Sequence, residues 1–122
     1  WPNSKNPKFY NTVIKVKTNL RISNLFTQIK IIEKKLGRKF KAKKNSPRTC
    51  DIDIIDFNGK ILKLEVNRKK IIVPHPRMIR RNFVLIPLFE IDKNWIHPQK
   101  KTKIIDLIDN LEGISFRSIK LI

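Results

Sequence analysis

Asn58-Gly59 stands between two runs of alternating apolar and polar residues, CDIDIIDF before it and KILKLEV after it. Asn-Gly favours the left-handed backbone of a two-residue turn, so the spacing predicts a β-hairpin with strands near 50–57 and 60–66. A strand turns successive side chains to opposite faces. Asp51 and Asp53 then share one face, about 7 Å apart, and Asp56 lies on the other. Two like charges at that spacing repel unless something positive lies between them. Hard carboxylate oxygens suit Mg²⁺, which takes its other ligands from water and phosphate. A solvated acidic strand face gives the same pattern, so Asp-x-Asp alone does not decide between the two.

The acids are unusual in their setting. The chain carries 28 Lys and Arg against 10 Asp and Glu, a formal charge of +18 that by default implies an anionic partner, most often nucleic acid. Composition supplies a competing cause. The 20 Lys, 21 Ile and 11 Asn against 1 Ala and 3 Gly match A/T-rich codons, so much of the lysine excess can arise without selection for binding. A basic nucleic-acid module also leaves the acids at Asp51 and Asp53 unexplained, because carboxylates facing a phosphate backbone repel it. Nucleic acid is therefore not the expected partner.

Length fits one domain spanning residues 1–122. No apolar run of about 18 residues predicts a membrane span. The single cysteine, Cys50, cannot form an internal disulfide; it alternates away from the acids and reads as core, and a reducing, cytoplasmic setting follows.

Elsewhere, NTVIKVKT at 11–18 alternates as a strand, and Ser23 is a candidate N-cap. Leu25, Ile29, Ile32 and Leu36 recur at helical spacing, which predicts a helix over 23–36 ending at Gly37. A short helical stretch is expected after His75, with Pro87 at or near a helix start. TKIIDLIDNL reads as a helix and residues 115–121 as a last strand. The order points to an α+β fold with a central, mainly antiparallel sheet.

The neighbourhood of the acids in sequence is rich in phosphate-binding chemistry. Arg48 precedes Asp51 by three residues, and Arg77, Arg80 and Arg81 follow His75, which lies between Pro74 and Pro76. Arginine forks onto phosphate, and a bound polyphosphate would bring such acids and bases into one site. A solvated basic helix face is the plainer alternative for the arginines.

PRTCDIDIIDF followed by VPHPRMIRRNFVLIPLFEI resembles the signature of the 6-hydroxymethyl-7,8-dihydropterin pyrophosphokinases. NPKFYN and IEKKLGR extend the resemblance upstream. It implies a ferredoxin-like α/β sandwich and Mg²⁺-dependent transfer of diphosphate from ATP to the pterin hydroxymethyl group, with release of AMP. By the same resemblance Asp51 and Asp53 bind two Mg²⁺ ions, with Arg38 and Arg48 beside them as catalytic groups. Glu33, Arg38, Arg48, His75 and Arg81 match residues that hold or polarise ATP, while Phe9 and Phe83 match a pterin clamp with Asn11 at the ring edge. ATP and the pterin are the implied partners of a complete chain, itself expected to be a monomer.

Four departures stand out. Asn45 replaces a tryptophan, Lys30 a glutamine, and Pro76 an aromatic found in some members. The family's opening strand, ending in Gly-Ser-Asn, and the helix after it have no counterpart before Trp1. The chain is thus expected to be N-terminally truncated, with an open sheet edge. A weakly active or inactive remnant of the enzyme is one alternative, and a basic nucleic-acid-binding module is the other.

Overall fold

The computed structural model describes residues 11–40 and 50–111, the side chains of 38–40 excepted. The fold is α+β: α1 (Ile22–Phe40), β1 (Leu62–Val66), β2 (Lys69–Val73), a 3-10 turn (Met78–Arg80), α2 (Asn82–Ile91) and α3 (Ile104–Asp109).

β1 and β2 form an antiparallel hairpin in register from Leu62 opposite Val73 to Val66 opposite Lys69. The connecting pair is Asn67-Arg68, with φ of 50° and 67°. Left-handed backbone at both positions matches the right-handed twist of the strands. The hairpin expected around Asn58-Gly59 takes a different form. That pair does turn the chain, with φ of 53° and 66° and a hydrogen bond from Lys60 N–H to the Phe57 carbonyl. Residues 50–57, however, are not assigned as a strand. Their exposure still alternates over 51–54, and the Ile55 carbonyl accepts from His75 N–H at 2.9 Å, just beyond β2.

The segment at 11–18 also lacks strand pairing among the described residues, with Ile14 74% and Val16 62% exposed. A strand is defined by its ladder partner, and alternation alone does not supply one. The expected strand at 115–121 lies outside the described residues.

α1 runs past both expected ends. Its inward stripe is Ile22, Phe26, Ile29 and Glu33, the 3–4 spacing of one helix face. Ile29 is buried as expected and Leu25 and Leu36 half-buried, but Ile32 is 47% exposed. Ser23 lies inside the helix, where its carbonyl accepts from the Thr27 hydroxyl. Gly37 is also internal. A side chain there would meet nothing within 4 Å, so the helix passes through the glycine without a packing reason to stop. Pro87, expected near a helix start, is likewise inside α2. Its ring nitrogen cannot donate to the Phe83 carbonyl, a defect offset by burial of Val84, Leu85 and Leu88 on the same helix.

Two hydrophobic clusters result. One gathers Met78, Val84, Leu85, Leu88, Trp95, Ile104, Leu107 and Ile108 between α2 and α3. The other joins Ile22 of α1 to Ile71 and Val73 of β2. Ile55 packs on the first and Ile54 on the second, so the segment carrying the aspartates lies between them. Cys50 is half-buried and free.

Between α2 and α3 the chain closes a tight loop. Buried His97 accepts at Nδ1 from the N–H groups of Gln99 and Lys100, at 3.2 and 3.0 Å. Burial, aided by Lys100 and opposed by Asp56, lowers its pKa below the usual histidine value. The unfolded state therefore binds the proton more readily. Stability is fully present above about pH 6.5 and is lost as pH falls below it. Asparagine keeps an acceptor near the Nδ1 position and cannot titrate. His97→Asn is expected to flatten the fall in melting temperature between about pH 6.5 and 5.5; an unchanged slope would remove His97 from that titration.

Candidate active site

Asp51 and Asp53 are both exposed, while Ile52 and Ile54 between and after them are half-buried. The expected common face for the two acids is thus present in the exposure pattern. Asp56 is half-buried and differently engaged: its Oδ2 accepts from Gly59 N–H at 3.2 Å within the turn, and its Oδ1 is buried without a hydrogen-bond partner.

The backbone around the acids is held at two points. Ile52 N–H donates to Glu33 Oε2 of α1 at 2.7 Å, and the Ile55 carbonyl accepts from His75 N–H. Glu33 was expected among the ATP-binding residues; here its carboxylate meets the chain between the two aspartates. Lys30, absent from the residues expected at the site, pairs with Glu33 Oε1 at 2.9 Å. Its departure from the family's glutamine and its i, i+3 spacing to Glu33 on a helix are the signals that point to it.

His75 joins the group from the far side. Its Nδ1 accepts from Arg77 N–H at 3.1 Å, which leaves Nε2 to carry the proton of the neutral ring. Burial lowers its pKa; Asp53 pulls the other way, and Arg81 and Arg77 add to the lowering. One carboxylate and two guanidinium groups therefore act on one half-buried imidazole. Arg77, like Lys30, was not among the expected site residues, although it follows the Pro-His-Pro run directly. The Arg81 guanidinium lies 5.5 Å from the centre of the Phe83 ring, a cation–π distance, and Phe83 is 44% exposed.

Asp53, His75, Arg81 and Phe83 thus fall in one region at the start of α2. Asn11 is exposed. Arg38 lies on α1, its side chain outside the described part; Phe9 and Arg48 lie outside the described residues. Among the described residues no three His, Cys, Asp or Glu side chains gather as a metal site. A paired carboxylate on an open face still fits Mg²⁺, which needs only one or two protein carboxylates when phosphate and water complete its shell.

Residues 1–93 match the family model for 7,8-dihydro-6-hydroxymethylpterin-pyrophosphokinase. A 2-amino-4-hydroxy-6-hydroxymethyldihydropteridine pyrophosphokinase of Aquifex aeolicus is 42% identical over 98 residues, 80% of this chain and 58% of the relative. The Helicobacter pylori protein of the same name is 42% identical over 86 residues, covering 70% of this chain and 50% of the relative. The folic acid synthesis protein fol1 of Pneumocystis carinii is 42% identical over 92 residues, 75% of this chain but 12% of that longer protein. The chain therefore spans about half the length of these bacterial relatives. With a match that runs through both aspartates, His75, Arg81 and Phe83, this chain belongs to the 7,8-dihydro-6-hydroxymethylpterin-pyrophosphokinase family.

Proposed function

We propose that the protein transfers diphosphate from ATP to 6-hydroxymethyl-7,8-dihydropterin and releases AMP. The observation that carries this reading is the pair Asp51 and Asp53, exposed together while the residues between and after them are half-buried, with His75 in electrostatic reach of both Asp53 and Arg81. The pterin hydroxyl oxygen bonds to the β-phosphorus of ATP as the bond from that phosphorus to the α-phosphate oxygen breaks. The hydroxyl proton is lost, and AMP leaves with the bridging oxygen.

Asp51 and Asp53 would hold two Mg²⁺ ions, which when bound neutralise charge on the attacking and leaving oxygens. Arg38, Arg48 and Arg81 add positive charge along the triphosphate, so most of the catalysis is positioning and electrostatics. His75, kept neutral by burial, offers a hydrogen bond from Nε2 without adding a cation to a field already rich in arginine. Glu33 belongs to the same wall. Phe9 and Phe83 clamp the pterin, and Asn11 reads its edge. We read residues 1–122 as part of one ferredoxin-like α/β sandwich domain, cytoplasmic and a monomer when complete.

AMP formation is expected only when ATP, Mg²⁺ and the pterin are all present, and chelation by EDTA should stop it. ADP in place of AMP, or AMP formed equally well without the pterin, would contradict the reaction. Phe83→Ala should weaken pterin binding by about 1–3 kcal/mol, the range for stacking a flat heterocycle on an aromatic ring. Calorimetric titration with the pterin at saturating Mg²⁺ and non-hydrolysable ATP analogue measures it, and undiminished affinity would remove Phe83 from the clamp.

A further inference from the structure

We propose that Glu33 is a positioning residue that sets the two aspartates through the backbone between them, and that Lys30 tensions it. The inference rests on the diphosphokinase reading above. The Glu33 carboxylate spans two elements: Oε1 takes Lys30 Nζ at 2.9 Å, and Oε2 takes Ile52 N–H at 2.7 Å. The Glu33 side chain is 16% exposed and that of Lys30 37%, so the glutamate is the better shielded of the two. A charge-assisted hydrogen bond of that length is among the stronger polar contacts a protein makes.

The donor is the peptide that joins Asp51 to Ile52, directly between the two carboxylate-bearing residues. The next fixed point along the chain is the Ile55 carbonyl, held by His75 N–H at 2.9 Å. Asp53 lies between these two pins. Residues 50–57 are not assigned as a strand, so the Glu33 bond does the work a ladder bond would do there. Lys30 is itself fixed, its Nζ lying 5.1 Å from the centre of the Phe26 ring, and Phe26 packs on the Ile22, Ile71 and Val73 cluster. Contact thus runs from core to lysine to glutamate to the backbone of the acids. A residue acting this way resembles the outer partners that orient metal-binding carboxylates, whose loss costs about 10–100-fold in metal affinity.

Mn²⁺ uptake by the full chain, read as the free-ion electron paramagnetic resonance signal lost beyond that in a protein-free control holding the same probe, tests this with two probes: a non-hydrolysable ATP analogue and inorganic tripolyphosphate, which has no nucleoside. Glu33→Ala is expected to weaken Mn²⁺ uptake about 10–100-fold with both probes alike. Glu33→Gln keeps an oxygen for Ile52 N–H and should recover most of that loss. Lys30→Met should cost a smaller factor, again equal for the two probes. Loss with the nucleotide but not with tripolyphosphate would place Glu33 against the nucleoside and overturn the positioning role. So would a lowered melting temperature with Mn²⁺ uptake unchanged, or Glu33→Gln as weak as Glu33→Ala. If Glu33→Ala does not fold by circular dichroism, the decision passes to Lys30→Met, for which no change with either probe is the overturning result. Failure of the unsubstituted chain to take up Mn²⁺ with either probe would instead remove the diphosphokinase reading, before any variant is compared.

Discussion

Asp53→Asn is expected to cut AMP release by at least two orders of magnitude, a loss of about 3–4 kcal/mol in transition-state stabilisation by analogy with single electrostatic groups in other active sites. Asparagine keeps the size and one acceptor oxygen but removes the charge that a divalent ion requires. Asp51→Asn should do the same, because a site built on paired carboxylates cannot share its load with one. Asp56→Asn is the control. Asp56 belongs to the turn, where Oδ2 takes Gly59 N–H, and asparagine can still accept that bond. Its activity should stay within a few-fold of the unsubstituted protein. The measurement is AMP formed from ATP and 6-hydroxymethyl-7,8-dihydropterin at saturating Mg²⁺, with the melting temperature followed in parallel. Equal losses at Asp53 and Asp56 would mean that the acids serve folding, and the metal assignment would fall.

Leu85→Ala should be the most destabilising single truncation tested in the α2–α3 core. Leu85 is fully buried, in the cluster with Met78, Trp95, Ile104 and Leu107. Removing its outer carbons loses their transfer free energy and leaves a cavity that the neighbours fill only in part, a cost of about 2–5 kcal/mol. α2 already carries the defect at Pro87, so it depends on packing more than on its own hydrogen bonds. Denaturant unfolding followed by circular dichroism reads the loss directly. A change below about 1 kcal/mol would mean that α2 repacks freely and that the core around Leu85 is loose. Because Arg81 and Phe83 flank the first residue of α2, pterin affinity should fall along with stability.

Some of this was legible from side-chain pattern alone. The alternation around Asp51 and Asp53 predicted their common exposed face, and helical spacing found α1 and α3. What failed had specific causes. The hairpin turn at Asn67-Arg68 has no glycine, so the more conspicuous Asn58-Gly59 drew the strand boundary and β2 went unnoticed. Gly37 and Pro87 are the usual punctuation of helices, yet tertiary burial carries α1 and α2 through both. The inward stripe of α1 was displaced because Glu33 is part of it. A charged residue on a buried face is invisible to a search for apolar periodicity, although here it makes the bond that ties the helix to the acids. The gathering of His75 and Asp53 depends on a contact between distant stretches of chain, which spacing cannot report.

The placing of Ile54 in one hydrophobic cluster and Ile55 in the other has a consequence for how this segment can vary. Each of the two neighbours is keyed to its own side, so the segment has only one acceptable frame. A slip of one residue would drive Asp53 toward apolar packing and turn Ile52 and Ile54 out to water. Substitution can be absorbed there, because it leaves the frame intact. Insertion or deletion of a single residue between Cys50 and Asp56 cannot, since it shifts the frame of the side chains around it and breaks the approach of Asp53 to His75. Length between those two positions is accordingly a stricter requirement than the identity of any apolar residue within them.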